Sequence, residues 1–171
     1  MSGYSLNGFY LITELIREQL AKDVNVNTVT YGDIFQVDLS KQTIFPLSHV
    51  QVVSATMQEN VWMFNISILC MDIVEKPKDY VDTENDTAKN IFRGNTNEQD
   101  IWNTQLAVAN RLLELLYRGN LYENKFQLEG QPVCEPFTDR FENELAGWTV
   151  SFNILIPNDM TICVIPENQD N

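Results

Sequence analysis

Near the end of the chain, the stretch Gly147-Trp148-Thr149-Val150-Ser151-Phe152-Asn153-Ile154-Leu155-Ile156-Pro157-Asn158 keeps a strict two-residue rhythm. Trp148, Val150, Phe152, Ile154 and Ile156 fall on one side, and Thr149, Ser151, Asn153 and Leu155 on the other. Period-two alternation of this length is the pattern of a strand with one buried face. Pro157 cannot donate to a ladder and Asn158-Asp159 suits a turn, so the strand stops there. A second long strand is expected over Val61–Val74, where Trp62, Phe64, Ile66 and Ile68 share one face. The opposite face, Met63, Asn65, Ser67 and Leu69, is mixed and only partly covered. Only Gln58-Glu59-Asn60 separates it from an expected strand over His49–Met57, so those two form an antiparallel hairpin.

Strands of this kind need a layer to bury their apolar faces, and two segments have helical spacing. Over residues 7–24, Phe9, Ile12, Leu15, Ile16 and Leu20 recur every three or four positions, with Glu18 and Lys22 as an i,i+4 pair. Over residues 97–118, Thr96-Asn97-Glu98-Gln99 reads as a capping box, Glu98 and Asp100 are acidic first-turn residues, and Gly119 follows Arg118 as a stop. Trp102, Leu106, Ala109, Leu113 and Leu116 form one stripe of this helix, and Ile101, Val108, Leu112 and Leu115 a second beside it. The polar strip is narrow, with Asn103, Thr104, Asn110, Arg111, Glu114 and Arg118, so cover is expected from the sheet plus either the first helix or a neighbouring subunit.

The remaining segments give weaker signals. Alternation of Phe35, Val37 and Leu39 against Ile34, Gln36 and Asp38 predicts an early strand, Phe126–Cys134 another, and Pro136 a turn region. Thr161-Ile162-Cys163-Val164-Ile165-Pro166 is a candidate for one more pairing before the polar end. Residues 75–98 are charged and poor in apolar anchors, the signature of a long loop or functional arm; Tyr80, Val81, Ile91 and Phe92 are its candidate docking residues. The expectation is an α+β fold in one domain: a mostly antiparallel sheet flanked by two main helices.

Charge narrows the partners. With 24 acidic and 11 basic residues the formal net charge is −13, so the surface repels a duplex rather than holding it. No apolar run reaches the roughly 20 residues of a membrane-crossing helix, and no membrane partner is expected. Glu14 and Arg17 interrupt the first apolar stretch, which also lacks a preceding basic region, so it is not expected to act as a signal peptide. Cys70, Cys134 and Cys163 are odd in number and widely spaced, as reduced thiols in a cytosolic setting would be.

Catalytic patterns are sparse. His49 is the only histidine, which excludes His-rich metal sites and mechanisms needing two imidazoles; on a strand it reads as a packed or surface residue rather than a base. CxxC spacing, a phosphate-binding Gly-rich loop and a GxSxG elbow are all missing. Asp82, Glu84 and Asp86 lack the glycine and closing glutamate of a calcium loop. Glu142 and Glu144 read as a charged turn before the last strand rather than a hydrolytic pair. No catalytic residue, metal or cofactor is expected.

The order helix, strand, long hairpin, long loop, second helix and two more strands resembles the neck and tail-completion or tail-terminator proteins of tailed bacteriophages, including ring proteins of crAss-like and related short-tailed phages. Three segments carry the likeness in sequence: "LITELIREQL", "NTQLAVANRLLELL" and "GWTVSFNILIPNDMTICVI". The resemblance implies a structural virion protein, assembled in the bacterial host cytoplasm, whose copies form a ring of 12 or 6. Such a ring extends the portal–adaptor channel, meets the tail, and lets DNA pass without binding it. Contact candidates are then the 75–98 loop, with Tyr80, Val81, Ile91 and Phe92, and the exposed part of the second helix, with Arg111 and Arg118. The alternative is an acidic DNA-mimic inhibitor of a basic host protein, which requires carboxylates at duplex-like spacing on one face; a carboxylate-pair hydrolase ranks behind it.

Overall fold

The computed structural model describes residues 7–75, 97–140 and 144–158. Five strands form one sheet: β1 (Thr28–Tyr31), β2 (Leu47–Gln58), β3 (Val61–Ile73), β4 (Gln127–Arg140) and β5 (Leu145–Pro157), in spatial order β1-β2-β3-β5-β4. Two helices, α1 (Asn7–Lys22) and α2 (Glu98–Tyr117), complete an α+β fold. All ladders are antiparallel except β1 with β2, which is parallel.

The centre of the sheet is β3 against β5, a ladder running without interruption from Val61↔Pro157 to Ile73↔Leu145. It places Phe64, Ile66 and Ile68 beside Ile154, Phe152 and Val150, so the two best-patterned segments of the sequence share one buried face. Both helices lie on that face. Ile12, Ile16 and Leu20 of α1 and Val108, Ala109, Leu112 and Leu116 of α2 join the same core cluster. Full burial of each large aliphatic side chain contributes about 1.5–3 kcal/mol. The sheet and α1 thus cover much of the apolar circumference of α2, while Leu106 of its first stripe stays 39% exposed. Trp148 Nε1 donates to the Trp102 carbonyl of α2 at 2.8 Å, fixing the helix on β5.

Three local expectations are corrected. Residues 34–39 are not a strand: Asp33 accepts a hydrogen bond from the Phe35 N–H and opens a 3-10 turn over Ile34–Gln36, followed by a second over Gln42–Ile44. The early strand is instead β1, in the preceding Thr28–Tyr31, and the chain from Gly32 to Pro46 is the crossover that its parallel pairing with β2 demands. Ile34 and Phe45 from this crossover seal Leu47, Leu69, Met71 and Leu145 on the second face of the sheet, with Val37, Leu39 and Ile44 packed around them. Pro136 is not in a turn; β4 continues through it to Arg140. As the outermost strand, β4 tolerates a residue without an N–H, and Pro132 lies where its register shifts between Glu129 and Val133. At the start of α2, Thr96 lies outside the described residues and Asn97 makes no side-chain cap bond. Asn97 instead accepts from the Glu75 N–H at 2.7 Å and donates to the Ile73 carbonyl at 3.2 Å, joining the end of β3 to the start of α2.

Gly147 shows how closely β3 and β5 approach. A Cβ built there would collide with the Cys70 carbonyl oxygen and crowd the Met71 Cα, and neither backbone atom can give way without breaking the ladder. Gly147→Ala is expected to cost about 2 kcal/mol or more, in the range of overpacked cores, read as a lower urea midpoint in equilibrium unfolding; an unchanged midpoint would show that the strands separate freely at this point.

Candidate functional site

Half of the second sheet face has no cover among the described residues, and it is the surface with the most distinctive chemistry. The crossover segment seals the end containing Leu47, Leu69, Met71 and Leu145. Beyond it, register places Gln51, Ser67, Ser151 and Val133 in one row across the sheet, and Ser54, Asn65, Asn153 and Glu129 in the next. Thr149 and Glu135 are paired nearer the sealed end, and Met63 and Leu155 nearer the hairpin tip. At the middle, Asn65 Nδ2 donates to Asn153 Oδ1 at 2.8 Å. The uncovered half thus carries amides, hydroxyls and the carboxylates Glu129 and Glu135 beside Val133, Met63 and Leu155, with no lysine or arginine in any of these register positions. Such a surface offers hydrogen bonds and negative charge, and no cation to neutralise a phosphate.

His49 and the Asp23–Arg111 pair are engaged in holding the fold. His49 is completely buried on β2. Its Nε2 lies 2.9 Å from the Gly32 carbonyl, which only accepts, so Nε2 carries the proton; Nδ1 then accepts from the Thr30 hydroxyl at 2.8 Å. Burial lowers its pKa, against the pull of the Gly32 carbonyl and the Asp33 carboxylate. Both ring nitrogens are occupied in tying β1 and its following turn to β2. Burial also pushes the Cys70 thiol up to about 12 and raises that of Cys134, leaving neither as a ready thiolate.

Of the contact candidates named from the sequence, Tyr80, Val81, Ile91 and Phe92 lie outside the described residues. Arg111 forms a two-pronged pair with the buried Asp23, Nε to Oδ2 at 2.6 Å and Nη2 to Oδ1 at 2.7 Å. Burial raises the Asp23 pKa, but the Arg111 hydrogen bonds, the Asn25 N–H and the Arg111 charge outweigh it, and the net shift is downward. Arg111 therefore staples α2 to the turn after α1. Arg118 is exposed at the C-terminal end of α2, where its N–H donates to the Leu115 carbonyl at 3.2 Å. Glu142 lies outside the described residues and Glu144 is an exposed turn residue with a positive φ of 50°.

Sequence patterning missed two features. Gln105 is buried on α2 among Ile101, Val108 and Ala109, and neither atom of its carboxamide meets a partner among the described residues. The Asp23–Arg111 pair joins residues 88 positions apart, a separation at which no local pattern operates. Among the described residues no three or more His, Cys, Asp and Glu side chains are grouped to hold a metal ion, and no helix is long and apolar enough to cross a membrane. No protein-family model matches the chain, and no curated protein sequence matches it.

Two measurements test these assignments. A histidine with a lowered folded pKa contributes stability that is complete above its unfolded pKa, about 6.5, and is lost as pH falls through that value toward the folded one. Urea unfolding of the wild type between pH 7.5 and 5 should lose stability relative to His49→Gln, whose profile is flatter; parallel profiles would place the imidazole in water. Arg111→Met should destabilise by about 2 kcal/mol, the scale of a hydrogen bond to a buried charge. It should also move the Asp23 pKa upward in a carboxylate-resolved NMR titration, and an unmoved Asp23 would refute the staple.

Proposed function

We propose that the protein is a structural component of a tailed-phage virion: a neck or tail protein, assembled in the bacterial cytoplasm, whose copies form a ring extending the portal–adaptor channel toward the tail. The observation that carries this reading is the uncovered half of the sheet, with its Asn65–Asn153 pair, flanking serines and two carboxylates, and no cation in its rows. A duplex moving through a channel is best served by walls that neither bind phosphate nor present a large apolar surface. A formal charge of −13 extends the same property to the chain as a whole. The architecture supports the reading as well, because the expected order of elements carried the resemblance, and with two helices on one face and the crossover on part of the other, the remaining half is left to meet a lumen or a neighbour. In this role the chain does no covalent chemistry; its work is self-association and docking to the portal–adaptor and tail components.

Electron microscopy and light scattering of the full chain, alone and with a portal–adaptor assembly, are expected to give rings of 12 or 6 copies that do not retard duplex DNA even at low salt. Ser151→Lys/Asn153→Lys should keep the fold and confer salt-sensitive DNA retention on the ring if this face lines the channel. Monomers under both conditions would overturn the reading, and tight binding to a host nuclease or polymerase in their place would favour an acidic inhibitor.

A further inference from the structure

The two halves of β2 have different surroundings. From Leu47 to Val50 the outer side of β2 is held by β1, and the Gly32 N–H closes that ladder on the Val50 carbonyl at 3.1 Å. From Gln51 to Gln58 the inner side is paired with β3, but the outer side has no ladder partner among the described residues. A row of unpaired N–H and C=O groups is a template for another strand. This one carries exposed apolar residues, Val53 at 56% and Met57 at 66% exposure, where edges that must stay single usually carry charges or proline. The other margin of the sheet is defended more heavily: β4 has Pro132, Pro136, Glu129, Glu135 and two register shifts, where the β2 edge has a single shift at Val53 and neither proline nor charge from Gln51 to Gln58.

The chain also supplies a strand to match. β5 ends at Pro157 opposite Val61, and the Asn158 N–H donates to the Asn60 carbonyl at 2.9 Å, so the chain leaves the sheet at the tip of the β2–β3 hairpin. Residues 159–171 follow, and after Asp159-Met160 they contain Thr161-Ile162-Cys163-Val164-Ile165, four β-branched residues around one cysteine, closed by Pro166. Within its own copy this run is poorly placed to use the β2 edge. Three strand spacings of about 4.8 Å, roughly 14 Å, separate β5 from a strand laid outside β2. At no more than about 3.6 Å per residue, the chain from Pro157 to Thr161 spans roughly 14 Å only when straight. It must also clear the turn at Glu59-Asn60, so a straight linker leaves no slack and the detour draws on the first residues of the run. The edge of another copy imposes no such detour.

We propose that Thr161–Ile165 of one copy adds as a strand to the open β2 edge, Val53–Gln58, of the next. Donor and acceptor are different parts of one chain, so the contact is head-to-tail and generates a closed ring where the rotation permits. The inference rests on the ring reading above and supplies its joint.

Cys163 provides the test. Val53→Cys, Ala55→Cys and Met57→Cys are made singly in the full chain, assembled, and oxidised. At least one is expected to give a ladder of covalent oligomers on a non-reducing gel, abolished by adding Cys163→Ser. A disulfide formed only within single chains, or no Cys163-dependent product in any of the three, overturns the proposal. The chain ending at Asn158 is the second arm: its circular dichroism should match the full chain while its rings are lost. Rings that survive this truncation sink the strand-addition joint and leave the ring reading standing; a full chain that never forms rings sinks the ring reading itself.

Discussion

The β3–β5 ladder is the constraint on which the other elements depend. Every residue from Val61 to Ile73 has a partner in it, and a one-residue slip would turn one strand over against the other, taking either Ile66 and Ile68 or Val150 and Phe152 away from the helices and bringing Asn65 and Ser67, or Ser151 and Asn153, into the core. The hydrophobic pattern of both strands thus fixes a single register, and Gly147 lets the backbones approach closely enough to keep it. Once that pair is set, β2 is placed by its two-residue turn, β4 by the return from α2, and the helices by the only face apolar enough to hold them.

The two faces of the sheet have different histories in the chain. One is buried by helices whose own patterns announce them. The other is sealed at one end by a crossover with little regular structure, built from Ile34, Val37, Leu39, Ile44 and Phe45. The other half of that face has no cover among the described residues. Its polar composition answers that exposure, since Thr149, Ser151 and Asn153 need no second layer to bury them.

This history explains what could be read from the sequence. β3, β5, their hairpin partner and both helices were legible because each carries its period over many residues and buries one face. The alternation of Phe35, Val37 and Leu39 misled because those residues cover a sheet without belonging to one; Asp33 capping the Phe35 N–H decides the local conformation. Pro136 misled because the rule against proline in strands weakens on an outer strand, and position in the sheet is not a local property. The uncovered face was half legible: the polar side of β5 was plain, but its alignment with Asn65, Ser67 and Glu129 required the register. Arg111 read as a surface contact and is a staple, because its partner Asp23 is remote in sequence.

The burial of His49 has a further consequence. Imidazole is the side chain that ordinarily titrates between pH 5 and 8, and the only one in this chain is sealed between Thr30 and Gly32. Most surface carboxylates are already ionised above about pH 5, and lysines and arginines stay protonated well past neutrality. The outward field of the folded molecule, set by a formal charge of −13, is therefore not switched by its histidine. Dissolved salt, which shortens the reach of that field from about 30 Å at 0.01 M to about 8 Å at 0.15 M, is the stronger control on it.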